Sequence, residues 1–345
     1  MGAAAGLAFV AAACSEDDNH TNVITPVNAF NQINLVSDVT GHNARVLDPF
    51  LVNPWGLTFS PGGILWVANE GTGTATLYDP NGFPFSAIIG IPGASPEAAG
   101  KPSGLVWNNT ISFPVAGAPA RVLFGGLDGV ISAWNDSTFN AMTVIDNSAS
   151  GAIYTGLAIG MVGGANRLYA ADFGNGVVRM FDGDFNLVGS FTDPDLPDNY
   201  KPFNVTAING KLYVTYTLVE VTTHEEVPGA GNGFVDIFDM DGTLAQRFAS
   251  NGALNDPWGV ALVPAGFGPF EGDILVSNFG DGMIGVYNPT TGAFIDWLRD
   301  GNNNAIVVDH IWGITFGPTA STPNLYFAAG INDEAHGLLG AIVPR

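Results

Sequence analysis

One short pattern recurs six times along this chain of 345 residues, and it constrains the fold more than any other feature. The pattern is a tripeptide that stands directly before a short apolar run. Its third residues are separated by 48, 52, 48, 55 and 54 positions. Internal repetition with a period near 50 residues indicates a repeat architecture. The six copies are Pro54-Trp55-Gly56, Pro102-Ser103-Gly104, Tyr154-Thr155-Gly156, Pro202-Phe203-Asn204, Pro257-Trp258-Gly259 and Ile311-Trp312-Gly313.

Each repeat contains three apolar segments in the same order. In the first copy they read "GLTFS", "ILWVANEG" and, after a turn, "GTATLYDPNG". Segments of this length that are rich in β-branched and aromatic residues and bounded by Gly, Asn, Asp and Pro are typical of β-strands. A fourth, less regular strand follows in most repeats, such as "FSAIIGI". Because four-stranded repeats of about 50 residues form propeller blades, the sequence predicts an all-β, six-bladed β-propeller over residues 30–345.

The two ends of the predicted propeller complement each other. The sixth repeat ends after its third strand, "GLLGAIVP", whereas the strand-like run "FNQINLVSD" (Phe30 to Asp38) belongs to no repeat. Pairing the two would close the ring and remove an open sheet edge. We therefore predict that the N-terminal strand completes the last blade.

The first 29 residues differ from the repeats. Gly2 to Ala13 is an apolar stretch too short to span a bilayer, and it ends at Cys14, the single cysteine of the chain. "AAAC" resembles a bacterial lipobox, although no Lys or Arg precedes the apolar stretch. We predict an export signal over residues 1–14, a flexible acidic tether over residues 15–29, and lipidation of Cys14. The expected location is the outer membrane or cell surface, with the lipid as the only contact with the membrane.

The charge balance restricts the partners. Ten Lys and Arg face 32 Asp and Glu, which gives a formal net charge of −22. Such a chain repels phosphate backbones, so we expect no nucleic-acid partner. Apolar residues make up 46% of the chain and charged residues only 12%, which indicates a packed core rather than disorder. We expect a monomer whose ligand is a small molecule, a carbohydrate or a protein.

Several long motifs resemble a family of exported bacterial six-bladed β-propellers that has no established activity. They include "DPFLVNPWGL", "LPDNYKPFNVTAINGKLYVTYT", "LNDPWGVALVPAGFGPFEGDILVSNFGDG" and "HGLLGAI". A looser resemblance, through the tripeptide, is to NHL-type and gluconolactonase-like propellers, which implies a calcium ion held by Glu, Asn and Asp at the channel mouth. The matching positions carry no carboxylate, which argues against a lactonase: they are Trp55, Ser103, Thr155, Phe203, Trp258 and Trp312.

The start of the first strand and the end of the second lie on one face of a propeller, because these strands are antiparallel. We call it the upper face. The predicted ligand-binding residues are indoles of three tripeptides and polar residues that end three second strands, namely Trp55, Trp258, Trp312, Asn69, Asp172 and Asn278. Two interpretations of the indoles stay open. They pack between blades, or they form an aromatic collar that stacks on a flat ligand such as a sugar ring.

The upper face also carries candidate metal ligands. His310 precedes the last inner strand, and the loop "INDEAHG" supplies Glu334 and His336. Imidazole and carboxylate groups bind transition metals, and oxygen-rich loops suit Ca²⁺. The candidate cofactor is therefore Ca²⁺ or another divalent metal, and the alternative is that these are hydrogen-bonded loop residues. A second long loop on the same face contains His224. The runs "DGDFN" and "DMDG" resemble calcium-binding loops, but we interpret them as hairpin turns.

Two classes of function fit these observations. The first is an exported, lipid-anchored module that binds a ligand or a protein without catalysis, because no G-x-S-x-G nucleophile motif or other catalytic set stands out. The alternative is a metal-dependent, calcium-type hydrolase or lyase that acts on a carbohydrate or a small ester. Whether the chain is an enzyme is open at this point, and the sequence favours the binding module.

Overall fold

The computed structural model describes residues 1–2, 27–95, 97–223, 225–318 and 323–345. Within these ranges the regular secondary structure consists of β-strands and two short 3-10 turns, Glu70–Thr72 and Ser148–Ser150, joined by loops. None of the helices in the described ranges is long and apolar enough to cross a membrane. The predicted export signal with Cys14, nearly all of the predicted tether, and His224 lie outside the described residues.

The first two strands precede the first blade. They are β1 Phe30–Ser37 and β2 Val46–Leu47, and they pair in parallel through Val36 and Val46.

Blades 1 and 2 are antiparallel sheets of four strands that start at the central axis and proceed outward. Blade 1 contains β3 Pro54–Phe59, β4 Leu65–Asn69, β5 Thr74–Tyr78 and β6 Pro84–Gly90. Blade 2 begins with β7 Pro102–Trp107, carries an inserted hairpin, and continues with three further strands. The hairpin is β8 Pro114–Val115 and β9 Ala118–Pro119, and the outer strands are β10 Val122–Gly126, β11 Val130–Trp134 and β12 Met142–Asp146.

Blades 3 to 5 repeat the four-stranded order. Blade 3 contains β13 Tyr154–Val162, β14 Ala165–Asp172, β15 Val177–Phe181 and β16 Leu187–Phe191. Blade 4 contains β17 Tyr200–Ile208, β18 Lys211–Leu218, β19 Phe234–Asp239 and β20 Leu244–Ser250. Blade 5 contains β21 Pro257–Leu262, β22 Ile274–Asn278, β23 Ile284–Tyr287 and β24 Phe294–Trp297.

Blade 6 joins the two ends of the chain. It contains β25 Ile311–Phe316, β26 Leu325–Ala329 and β27 Leu338–Pro344. Strand β1 then pairs antiparallel with β27, from Phe30 opposite Pro344 to Ser37 opposite Leu338. The six-bladed all-β propeller and its closure by the N-terminal strand are therefore confirmed.

Alternate side chains of each strand point to opposite faces of the blade, and both sets make apolar contacts with neighbouring blades. In β4, Leu65 and Val67 pack in the cluster shared with blade 6, whereas Trp66 and Ala68 pack in the cluster shared with blade 2. Successive side chains of a strand point to opposite faces, so each blade is apolar on both sides. Six such clusters fill the six blade interfaces, and a seventh lies on the axis.

The repeated tripeptide marks an irregularity in the pairing of the first two strands in every blade. In blade 1, for example, the register shifts between Pro54 and Leu57. Shifts at the same place occur in the other five blades. Such a bulge bends the inner strand. It lies at the upper face, where the inner strands come closest to the axis.

Candidate functional site

The upper end of the central channel is filled by aromatic rings, which we call the axial plug. The Trp55 and Trp312 rings stack with their centroids 3.5 Å apart and their planes 16° from parallel. Trp258 meets both rings edge-on, at 6.2 and 6.0 Å. The plug consists of Trp55, Phe173, Phe203, Val219, Trp258, Phe279 and Trp312.

This packing decides what the three indoles offer to solvent. Trp312 is fully buried, and Trp55 and Trp258 are only 5% and 4% exposed. Edge-to-face and offset contacts of this kind stabilise aromatic clusters. The structure thus shows packing residues between blades, and it does not show an open collar on which a flat ligand could stack from the upper face.

The polar residues that end the second strands occupy equivalent positions. Asn69, Asp172 and Asn278 pair with the first residues of the tripeptides in blades 1, 3 and 5. All three side chains are buried. Asn69 bonds Thr74 and Thr76, and Asp172 bonds Asn175 and Arg179, all in or just after the connection that follows each strand. Asn278 bonds Asp281 in its own connection and the Ala253 carbonyl in the crossing from blade 4 to blade 5. The structure places them as supports of these connections rather than on an exposed ligand site.

The predicted metal ligands have separate partners. His310 Nδ1 is 2.8 Å from Asp309 Oδ1, and His336 Nδ1 is 2.7 Å from Asp38 Oδ2. Glu334 instead accepts a hydrogen bond from Asn53 at 2.8 Å. Among the described residues, no group of three His, Cys, Asp or Glu side chains is arranged to hold a metal ion. The structure therefore does not bring these three residues together as a ligand set.

The calcium-like run "DGDFN" forms a turn in the structure. The Oδ1 atom of Asp182 accepts backbone N–H groups from Asp184 and Asn186, both at 2.9 Å. This is the Asx-type bonding that stabilises hairpin turns. The carboxylate is thus engaged within its own turn.

A group of carboxyl side chains, which we call the acidic rim, lies above the axial plug, and two of them, Glu226 and Glu334, interact with His310. Burial raises the pKa of Glu334, and the neighbouring carboxylates Glu226 and Glu70 raise it further. The hydrogen bond from Asn53 and the nearby His310 lower it, but the net shift is upward. Burial also raises the pKa of Asp256 to about 7, with Glu226 and Asp281 adding to the effect. Carboxylates that are close together and partly desolvated hold protons more strongly. The rim consists of Glu70, Glu226, Asp256, Asp281 and Glu334.

The backbone beneath this rim adopts unusual conformations. Asn53, Asp256 and His310, each the residue before an inner strand, have φ values of 44°, 49° and 47°. The loop residues 332–334 have φ values of 56°, 52° and 62°. Left-handed conformations of non-glycine residues cost free energy and persist where surrounding contacts impose them. Here one such contact is the Asn53 side chain, which bonds both Glu334 and Glu70.

The large cavity of the molecule opens at the opposite end of the channel. We call the face where the inner strands end the lower face. The cavity has a volume of about 740 Å³ and is lined by the inner strands of all six blades, below Trp258 of the plug. Ligand pockets usually fall between about 300 and 1,000 Å³. The sequence predicted candidate residues on the upper face and did not predict this cavity.

The channel lining is electrically neutral. It contains aliphatic residues, Gly, Met and aromatic rings, together with hydroxyl and amide side chains such as Thr206, Thr315 and Asn166. At its lower rim Met161 is 58% exposed. In a chain with a net charge of −22, the acidic groups of the rim lie above the plug, and the wall of the cavity below it is uncharged.

Comparison with known proteins shows the family to which the chain belongs. No protein-family model matches the chain. "Uncharacterized protein R648" of Acanthamoeba polyphaga mimivirus is 30% identical over 325 residues, which cover 89% of this chain and 78% of that protein. "Uncharacterized protein L690" of the same virus is 31% identical, over 86% of this chain and 81% of that protein. The chain belongs to the same family as these viral proteins.

A third viral relative is longer than this chain. "Uncharacterized protein R640" of the same virus is 31% identical over 321 residues, which are 58% of its length. These relatives do not test whether the predicted resemblance to bacterial propellers extends to export, and that part stays a prediction.

Solved structures confirm the fold. A streptogramin B lyase superimposes with a TM-score of 0.53 at 13% identity, over 92% of this chain and 97% of that one. A catalytically inactive virginiamycin B lyase from Staphylococcus aureus, solved with quinupristin, gives the same TM-score and identity over 91% and 98%. At such identities the likeness shows a shared propeller fold, and fold alone does not determine activity.

Proposed function

We propose that this protein is a binding module that takes an uncharged ligand into the lower end of its central channel. The observation that carries the proposal is the lining of the 740 Å³ cavity, where apolar side chains alternate with neutral hydrogen-bonding groups. A charged ligand would lose its hydration there without gaining a countercharge, which costs several kcal/mol. A neutral ligand retains its hydrogen bonds through hydroxyl and amide groups and gains apolar contact.

The plug supports the same proposal from the other side. Because Trp55, Trp258 and Trp312 close the upper end, the channel is a pocket with one entrance. Ligand sites are concave, predominantly apolar and equipped with a few polar groups. The lower channel meets each of these criteria.

A thermal-shift screen with neutral and charged small molecules tests the proposal. We expect neutral compounds to raise the melting temperature, because a ligand at 100 times its Kd stabilises the native state by about 2.7 kcal/mol. Thr206, half-buried in the channel wall, is replaced by Trp to narrow the cavity. The control is Ser86→Trp, on the exposed outer strand β6.

The two variants separate specific from non-specific effects. Neutral hits should lose their effect in Thr206→Trp and keep it in Ser86→Trp. Hits that are mainly charged, or that stabilise Thr206→Trp as strongly as the native protein, would contradict the proposal.

We further propose that the module acts outside the cytoplasm as a monomer, attached through lipid on Cys14. The support is the apolar stretch from Gly2 to Ala13 directly before the single cysteine. The acidic excess, with 32 Asp and Glu, opposes self-association. Incorporation of an alkyne-tagged fatty acid into the expressed full chain, and its loss in Cys14→Ser, would support this. Equal labelling of both chains would contradict it.

A further inference from the structure

A second cavity lies on the lower face, in the cleft between blades 1 and 2. It has a volume of about 380 Å³ and is lined by three of the seven tryptophans of the chain, Trp66, Trp107 and Trp134. The lining also contains Ile64 and the ion pair of Arg121 and Asp136. We call this the tryptophan cleft.

The three indoles form a floor and two walls. Trp66 is 3% exposed and forms the floor, whereas Trp107 and Trp134 are half-buried. The Trp66 ring lies 5.1 Å from the Trp134 ring at 49° and 6.3 Å from the Trp107 ring at 57°. Because the planes are tilted against one another, the rings leave a cleft between them instead of closing into a stack like that of the axial plug.

The cleft also presents polar groups. Arg121 Nε donates to Asp136 Oδ2 at 2.5 Å, and both side chains are more than half exposed at the rim. A guanidinium group has five N–H donors, of which this ion pair engages one. On the floor, the Nε1 atom of Trp66 is buried and has no hydrogen-bond partner among the described residues. Because this atom is closed off from solvent, it adds no donor to the cleft, and the accessible polar groups are those of the ion pair at the rim.

We propose that the tryptophan cleft binds the neutral sugar units of a glycan. The apolar C–H face of a pyranose ring matches an indole face, and its hydroxyl groups match donors and acceptors placed beside that face. Here the Arg121–Asp136 pair at the rim offers both. The net charge of −22 disfavours polyanionic glycans.

The cleft adjoins the central channel. Trp107 lines both cavities, and the proposal extends to one glycan chain that contacts the cleft and then the channel. This extension rests on the proposed function, because it identifies the uncharged ligand as a sugar. Binding in the cleft by itself does not depend on it.

Affinity electrophoresis of the full chain tests the proposal. The gels contain hydroxyethyl cellulose, arabinoxylan, galactomannan or dextran as neutral probes, and alginate as a polyanionic one. We expect at least one neutral polysaccharide to retard the protein and alginate to have no effect. Trp134→Ala should weaken the retardation about tenfold, as expected for one lost aromatic contact, and Arg121→Ala should weaken it as well.

The controls make the outcome decisive. Trp297→Ala removes a half-buried tryptophan from the outer strand of blade 5 and should leave retardation unchanged. If Trp134→Ala fails to fold by circular dichroism, Arg121→Ala provides the same test, because its side chain is exposed. Retardation by none of the neutral polysaccharides would overturn the proposal.

The channel variant distinguishes this site from the proposed function. Retardation that is lost in Trp134→Ala and kept in Thr206→Trp supports the cleft as an independent sugar site. Retardation that is lost in Thr206→Trp and kept in both cleft variants overturns the cleft proposal and leaves the channel as the binding site.

Discussion

At the scale of single residues, the glycine of the repeated tripeptide is explained by the distance between neighbouring blades. A Cβ atom added to Gly104 would lie 2.6 Å from Gly156 Cα, and one added to Gly56 would lie 2.7 Å from the Ser103 carbonyl oxygen. In blade 4 the glycine is replaced by Asn204, which donates to the Trp258 carbonyl at 2.9 Å. The inner strands thus approach one another so closely around the axis that most blades have no room for a side chain.

Replacing one of these glycines should destabilise the propeller. In Gly104→Ala the new methyl group meets the backbone of blade 3, which is not free to move aside, so we expect a loss of about 1–3 kcal/mol in the free energy of unfolding. The control is Gly62→Ala, where the nearest atom is 3.8 Å away and the expected change is below about 0.5 kcal/mol. Urea denaturation measures both, and equal stabilities would refute this explanation.

The same tripeptide shows which property of the site the sequence could not predict, namely the orientation of the indoles. Its period was sufficient to predict the blades and to place Trp55, Trp258 and Trp312 near the upper end of the axis. Whether an indole there points to solvent or to its neighbours depends on how closely the six strands converge. Convergence is a tertiary property, and a pattern along the chain is compatible with both orientations.

At the scale of secondary-structure elements, strand β1 carries the closure of the ring. It pairs with β27 over nearly its whole length, and Phe30, Leu35 and Val36 are buried. The sequence allowed this prediction because an unmatched strand preceded the first repeat and a strand was missing from the last. Without β1, the edge of β27 and the apolar surface of two blade interfaces would be exposed.

A truncation experiment isolates this contribution. A chain that begins at Asp38 lacks β1, whereas a chain that begins at Val27 retains it. Burial of one large apolar side chain contributes about 1.5–3 kcal/mol, so the loss of three should cost about 4.5–9 kcal/mol. We expect the shorter chain to aggregate or to melt far below the longer one in differential scanning calorimetry. Similar melting temperatures for the two chains would show that closure does not depend on β1.

The tryptophan cleft was missed at this same scale. Trp107 and Trp134 end the first and third strands of blade 2, and Trp66 lies near the start of the second strand of blade 1. Antiparallel order places all three toward the lower face, so strand topology contained the signal. The repeated tripeptide lies at the opposite end of the strands, where the sequence is most regular, and it gives no information about the lower face.

At the scale of the whole molecule, the two ends of the channel differ in charge. The acidic rim lies above the plug, and a neutral cavity and the tryptophan cleft lie on the lower face. Composition predicted an acidic protein but not where its acidic side chains lie, because the net charge of −22 is a sum over the whole chain. This separation supports our proposal that ligands bind at the lower face, and we expect the upper rim to affect stability.

That effect should appear as a pH dependence. Asp256 is fully buried and its pKa is raised from 3.8 to about 7. Between pH 4 and pH 7 the folded protein therefore retains a proton that the unfolded chain has already released. A group with a raised folded pKa contributes stability that is present at low pH and is lost as the pH rises through that value. The native protein should therefore lose stability from pH 5 to pH 7.

Asp256→Asn should remove this part of the pH dependence, because an amide does not ionise in this range. One pKa unit corresponds to 1.36 kcal/mol, so the free energy of unfolding of the variant should gain about 1–3 kcal/mol relative to the native protein between pH 5 and 7. Urea denaturation at both pH values measures the difference. Asp198→Asn, at an exposed position, is the matched control and should follow the native protein. If native protein and Asp256→Asn lose stability in parallel, Asp256 is not the origin of the effect, and other buried carboxyl groups supply it, such as Asp236, whose pKa burial raises to about 7.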